Sequence, residues 1–169
     1  MREPERPLTI RRAAPGDLVA LGRLGAALMR IHRAFDERRF MPPGAHPEDA
    51  YARFLEVQLA DPSMLILVAE RAHHGRASDI LGYVYAGIEP ASFKELRERA
   101  GYIHDLLIAD DARGAGVGAR LLEAAIAWLR EQGMPRVLLW TAAQNAGARR
   151  LFEAHGFKAT MVEMTREVS

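Results

Sequence analysis

Residues 113–119 read Arg113-Gly114-Ala115-Gly116-Val117-Gly118-Ala119. They follow an apolar run, Tyr102-Ile103-His104-Asp105-Leu106-Leu107-Ile108, and open an amphipathic stretch. Glycines spaced two apart let the backbone turn tightly and aim several N–H groups at one point. The first turn of a helix adds unpaired N–H groups and the positive end of its dipole. The chemistry on offer is the seating of a phosphate or pyrophosphate. A nucleoside-triphosphate loop is excluded, because it would end in Gly-Lys-Ser/Thr. A dinucleotide loop is met formally by Gly114, Gly116 and Ala119. It should lie in the first strand-helix-strand unit, however, and the next apolar run, 136–141, ends without the acid that would hold a ribose. A glycine-rich turn that binds nothing is the remaining alternative.

A second segment narrows the ligand. Arg113, Gly116 and Gly118 meet the pattern Arg/Gln-x-x-Gly-x-Gly/Ala, and residues 145–157, Asn-Ala-Gly-Ala-Arg-Arg-Leu-Phe-Glu-Ala-His-Gly-Phe, meet Asn-x-x-Ala-x-x-x-Tyr-x-x-x-Gly-Phe except at Phe152. Both patterns are those of GCN5-related N-acetyltransferases, which the chain resembles in the right order and at a compatible separation. The run 102–108 is also similar to the Tyr-Ile-Glu-Asp-Leu-Tyr-Val run of diamine and thialysine acetyltransferases. The resemblance covers residues 64–165 well and the first sixty only loosely.

The resemblance implies acetyl-CoA as cosubstrate. The backbone of Gly114, Ala115, Gly116, Val117, Gly118 and Ala119 would hold the pyrophosphate. Leu106, Leu107 and Ile108 would run along the pantetheine and acetyl group as a neighbouring strand does. A backbone N–H on the thioester carbonyl would act like an oxyanion donor, worth on the order of 3 kcal/mol. Arg113 would contact phosphate or stand solvated at the loop entrance. Asn145 would reach the pantetheine amide, cap its helix, or do both. Phe152, where the family carries a tyrosine, cannot donate a proton to the departing thiolate, but it offers an apolar wall. Tyr102, Tyr83 and Tyr85 are substitutes for the acid, or simply sheet aromatics.

An alkylamine with a pKa of roughly 10 needs a base near the acetyl group. His104 takes the place of the subfamily's glutamate, and an imidazole suits neutral pH. The alternative is a strand histidine held in the sheet. Asp105 is the second candidate, as base or as anchor for a cationic substrate. It points to the opposite face if the strand is regular, unless a bulge intervenes. In the loop 35–47, Asp36 and Glu37 could meet an amine, and Arg38 and Arg39 a carboxylate; a solvated mixed-charge loop is the simpler reading of each. Tyr83 is a further candidate for contact with substrate.

The elements that must position these groups read from periodicity and punctuation. Strands are expected at 8–12, 64–70, 80–86, 101–108 and 136–141, with a closing strand near 160–167. Helices are expected after Asp17, from Pro47 to a stop at Asp61-Pro62, over 116–132, and from Asn145. The segment 91–99 reads as a short helix or an ordered excursion, and His73-His74-Gly75-Arg76 as a hairpin turn. This order predicts an α/β fold: a mixed, mostly antiparallel sheet with a splayed parallel pair and helices on both faces.

The 169 residues fit one domain, 1–169, with a full core. The net charge of +1 gives no broad field toward nucleic acid or an anionic membrane. Cysteine is absent, which removes disulfides, thiolate metal sites and a cysteine nucleophile, and with the last a ping-pong route. No metal-ligating spacing occurs, so no metal is expected. No signal peptide or membrane span is expected either, and the location expected is the cytoplasm, of a bacterium by the arginine- and alanine-rich composition. The activity implied is transfer of an acetyl group to a primary amine of a small molecule by direct attack. Acetylation of a protein N-terminus or lysine is one alternative, and an acyl-CoA-binding module without turnover is the other. A homodimer is expected from the family alone.

Overall fold

Two strands of the chain are apolar without interruption, and the structure shows why. In the computed structural model, which describes residues 8–72 and 78–168, β2 (Met64–Arg71) and β3 (Asp79–Glu89) lie inside a five-stranded sheet and are covered on both faces. Leu65, Leu67, Val84 and Ala86 face one side. Ile66, Val68, Tyr83 and Tyr85 face the other. Their alternation gives each side a core of its own. The sheet order is β1 (Leu8–Arg12), β2, β3, β4 (Ala100–Ile108), β5 (Val137–Leu139). The first four strands are antiparallel to their neighbours, and β5 runs parallel to β4.

Helix α3 (Val117–Glu131) lays Val117, Leu121, Leu122, Ala125 and Leu129 on the first face. They stand at helical spacing, and all are buried. Helix α4 (Ala146–Ala154) adds Phe152 beside them. The second face is covered by α1 (Leu18–Phe35) and α2 (Pro47–Leu59) through Leu21 and Leu55. Arg11 joins β1, β2 and the entrance of α1 by ion pairs at 2.7 Å to both Asp17 and Glu70.

The two helices of the second face cross closely because α1 carries glycine one turn apart. A Cβ on Gly22 would stand 2.4 Å from the Glu48 carbonyl oxygen, and one on Gly25 would stand 1.9 Å from the Tyr51 ring. Gly25 is therefore the slot through which Tyr51 reaches inward. Gly25→Ala is expected to cost about 1–3 kcal/mol by overpacking, lowering Tm by roughly 5 °C, and to displace Tyr51 from its partner described below. Thermal unfolding of the variant beside Gly16→Ala, whose added Cβ meets nothing within 4 Å, checks it.

Two expectations are corrected. The closing strand near 160–167 does not form: residues 157–168 carry no regular structure, and Met161, Val162 and Met164 are exposed. Their composition suits a strand, but a strand needs an edge to pair with, and β5 is only three residues long. That shortness is the second correction, since Trp140 and Thr141 leave the sheet. Of the two readings of 91–99, a short helix or an ordered excursion, the structure has the excursion, closed by a bridge between Ser92 and Arg97. The turn expected at His73-His74-Gly75-Arg76 lies outside the described residues. Among those described, no helix is long and apolar enough to cross a membrane.

Candidate active site

The parallel pair β4–β5 is joined only over Gly101–Val137, Tyr102–Leu138 and Ile103–Leu139. Beyond Ile103 the strands part, and a cavity of about 260 Å³ opens in the gap. Ile103, Leu106, Leu139, Asn145, Ala148 and Phe152 line its sheet side, and Leu28, Met29, His32, Phe40 and Met41 close it from α1 and the loop that follows. His104 and Asp105 stand between the two walls.

Both side chains reach the same face because β4 is bulged. Tyr85 pairs with Asp105 and Ala86 with Ile103, so His104 is the extra residue. A regular strand would send Asp105 away from His104. The bulge instead turns both toward α1 and α2, where Tyr85 stacks on His104 and Tyr51 meets Asp105. Of the two orientations weighed for Asp105, the structure has the one that a bulge produces.

Asp105 is surrounded by protein yet keeps an accessible edge on the cavity. Tyr51 and Tyr83 donate hydroxyl hydrogen bonds to its Oδ2, at 2.5 and 2.9 Å. Its Oδ1 has no donor among the described residues. Burial pushes the carboxyl above its ordinary value, against the two hydrogen bonds and the neighbouring His104 and His32. Burial and the Asp105 charge in turn raise both tyrosines, so they remain donors. His104 is sandwiched between Tyr85 and Tyr102, with ring centroids 4.6 and 5.0 Å away and planes within 27° and 19°. Burial lowers its pKa, against the pull of Glu89 and Asp105. Glu89 Oε1 lies 3.2 Å from Nε2, yet that buried nitrogen makes no well-directed hydrogen bond. The proximity still favours the proton on Nε2, which leaves Nδ1 as the lone-pair nitrogen.

At the end of β4 the chain turns through Asp110–Ala112 into the glycine loop. Gly114 and Gly116 adopt φ of 78° and 75°, the left-handed region, and a Cβ on either would meet nothing within 4 Å. Gly116 is the N-cap of α3, with no side chain capping the helix. The loop thus presents uncapped N–H groups to open space, which is what a phosphate group requires. Ala115 is exposed there, while Val117 is in the core and Gly118 packs toward Leu151 and Ile108. Arg113 stands at the entrance, its Nη2 2.9 Å from Asp110. On the far side of the gap, Asn145 caps α4 by accepting the Ala148 N–H at 3.1 Å. Substituting valine at Gly116 forces a β-branched residue into a left-handed conformation and fills the seat. If the loop holds a pyrophosphate, affinity for acetyl-CoA is expected to fall about ten-fold or more, with Gly16→Ala unchanged, as read by thermal-shift titration.

Other candidates lie elsewhere. Leu107 is in the α1/α2 core, and Ile108 packs toward α3, so only their backbone borders the gap. Tyr83 is fully buried beneath Asp105 and does not line the cavity. Asp36 and Glu37 do not line it either: Asp36 Oδ1 accepts the backbone N–H groups of Arg38 and Arg39, both at 3.0 Å. Reasoning from sequence passed over Tyr51 as an ordinary core position of α2, and over Met29, Met41 and Trp140. For Tyr51 a signal existed in Gly22-x-x-Gly25, the small-residue spacing of a close helix crossing.

The family described as Acetyltransferase (GNAT) family matches residues 28–157, most of the chain. The chain belongs to the GNAT acetyltransferase family. Among curated relatives, the uncharacterized N-acetyltransferase YhfO of Bacillus subtilis is 28% identical over 153 residues, 89% of this chain and 90% of that protein. The mycothiol acetyltransferase of Cellulomonas flavigena is 32% identical over 92 residues, 53% of this chain and 26% of that protein. The GNAT chain spans well under half the length of several such relatives, 26% to 42% for three of them. Of solved structures, a tetramutant of the BH1408 protein of Bacillus halodurans superposes with a TM-score of 0.77 at 20% identity, covering 95% of this chain and 99% of that one. The aminoglycoside N-acetyltransferase AAC(6')-Iy in complex with CoA gives 0.71 at 18% identity, over 96% and 95%. These likenesses show that the GNAT fold extends over nearly the whole chain.

Proposed function

We propose that this GNAT protein transfers an acetyl group from acetyl-CoA to a primary amine of a small molecule by direct attack. One observation carries the reading: strand pairing stops at Ile103–Leu139, beside the bulge that turns His104 and Asp105 into the gap, with the uncapped glycine loop at the end of the same strand. The β4 backbone beyond Ile103 is free on its β5 side to pair with the pantetheine, and the loop lies where the pyrophosphate would follow. The GNAT membership and the CoA complex of the aminoglycoside acetyltransferase support the same ligand.

Asp105 Oδ1 receives the ammonium of the substrate, and His104 takes its proton. A histidine held below its ordinary pKa is neutral at pH 7 and ready to accept one. The freed nitrogen then forms the C–N bond as the C–S bond breaks. The first proton that His104 took passes to solvent, and the second, shed by the nitrogen as the amide forms, passes through His104 to the departing sulfur. Phe152 offers no proton, so the thiolate leaves along an apolar wall without a dedicated acid. The likeness to diamine and thialysine acetyltransferases rests on the β4 run alone and adds no substrate.

The test has two steps. Acetyl-CoA is expected to raise Tm in a thermal-shift titration where NAD⁺ and ATP do not. An amine should then release CoA thiol, read with a thiol reagent against no background, since the chain has no cysteine. Stabilisation by a nucleotide alone would return the loop to the dinucleotide reading.

A further inference from the structure

The two walls of the cavity differ in chemistry from its floor, and the difference selects an acceptor. On the proposed acetyl-transfer reading, the amine enters between α1, the loop after it and Trp140, while the opposite wall takes the acyl donor. That entrance is built from Leu28, Met29, Phe40, Met41 and Trp140. Met41 and Trp140 are exposed large apolar groups, 72% and 68% accessible, and both turn toward the cavity. His32 stands edge-on to Phe40 among them, with ring centroids 4.9 Å apart. Among the described residues no lysine or arginine lines the cavity, and Asp105 is its one carboxylate.

Several charged groups nearby are already engaged. Arg33 donates to the carbonyls of Glu37 and Phe40. Arg39 is held by Glu163. The Asp36 carboxylate is occupied by its own turn. Glu89 lies against His104 and does not line the cavity. Among the described lining residues the site therefore offers one carboxylate, no lysine or arginine, and apolar, partly aromatic walls, with Arg39, paired to Glu163, lying over the Phe40 ring.

We infer that the acceptor is a primary amine on an apolar, ring-bearing body with no second charge. An ammonium gains from Asp105. A second ammonium would be desolvated against methionine and tryptophan with nothing to pair it. A substrate carboxylate would meet Asp105 with no cation to offset it. A flat apolar body buries surface on Phe40 and Trp140, and that gain is available to every ring-bearing amine. The reading separates this protein from acetyltransferases of diamines and of free amino acids.

The experiment compares kcat/KM for phenethylamine, putrescine and lysine at saturating acetyl-CoA. Phenethylamine is expected to exceed each of the others by at least about ten-fold, the scale on which a pocket rejects an unpaired charged group. Met41→Asp, at an exposed position that cannot disturb the core, places a second anion at the entrance and is expected to narrow the phenethylamine-to-putrescine ratio by about ten-fold. Phenethylamine in the presence of CoA should also quench tryptophan emission through Trp140, which reports binding without turnover. Putrescine or lysine turned over as well as phenethylamine would overturn the inference and leave the acetyl-transfer reading standing. Acetyl-CoA stabilisation with neither turnover nor quenching by phenethylamine would also overturn it. No stabilisation by acetyl-CoA would remove the acetyl-transfer reading itself.

Discussion

Replacing His104 is expected to lower kcat/KM for the amine by about 100-fold or more at neutral pH, the usual contribution of a positioned base. His104→Gln is the informative variant. Glutamine keeps a polar side chain between Tyr85 and Tyr102 but cannot take a proton, so lost turnover with an unchanged Tm separates chemistry from packing. The acetyl-CoA titration should shift by less than about two-fold, because the loop and the β4 backbone hold that ligand. The pH profile gives a second readout. A base must be unprotonated, so kcat/KM falls as pH drops through its pKa. Burial lowers His104 from the ordinary imidazole value, and the acid limb is therefore expected below about pH 6.5. In His104→Gln that limb should disappear from the residual activity. Wild-type turnover in the variant would transfer the base role to Asp105, whose carboxyl burial raises above its ordinary value.

Much of this site can be read from the sequence, and the limits have physical causes. The glycine loop was legible because its positive-φ positions must be glycine, and the α4 N-cap because Asn145 carries its own acceptor. The order of strands and helices implied a sheet covered on both sides. A bulge beside Asp105 could be named from the sequence only as an alternative. It belongs to the register between β3 and β4, a property of two strands that neither sequence states alone. Asp36 and Glu37 attracted attention as charges in a loop, but Asp36 satisfies the loop's own backbone. Tyr51 drew none, because one apolar-looking position in α2 cannot announce the carboxylate it reaches through a gap at Gly25. The absent closing strand makes the same point: a β-like pattern proposes a strand, and an available edge decides it.

Asp105→Asn is expected to raise KM for the amine by about 30-fold or more, a loss of the size found when one partner of a desolvated charge pair is removed, with a smaller effect on kcat. It should also make the ligand-free protein more stable at neutral pH. The sign follows from linkage. A carboxyl whose pKa is higher in the folded than in the unfolded state binds its proton more tightly when folded, so its contribution is full at low pH and lost as pH rises through the folded value. Asparagine does not ionise. It can still accept the Tyr51 and Tyr83 hydroxyls, and it removes that loss. The Tm difference between variant and wild type should therefore grow as pH rises from about 4 through the folded value and vanish at lower pH. Tyr51→Phe and Tyr83→Phe act the other way on the carboxylate, since each removes a hydrogen bond that stabilises its charge. Each is expected to raise KM by about ten-fold or more, the worth of one hydrogen bond to a charged group, without abolishing turnover. A stabilised Asp105→Asn with an unchanged KM would show a buried acid that the substrate never meets. A raised KM together with raised stability would show a carboxylate kept at the expense of the fold, for the ammonium it faces.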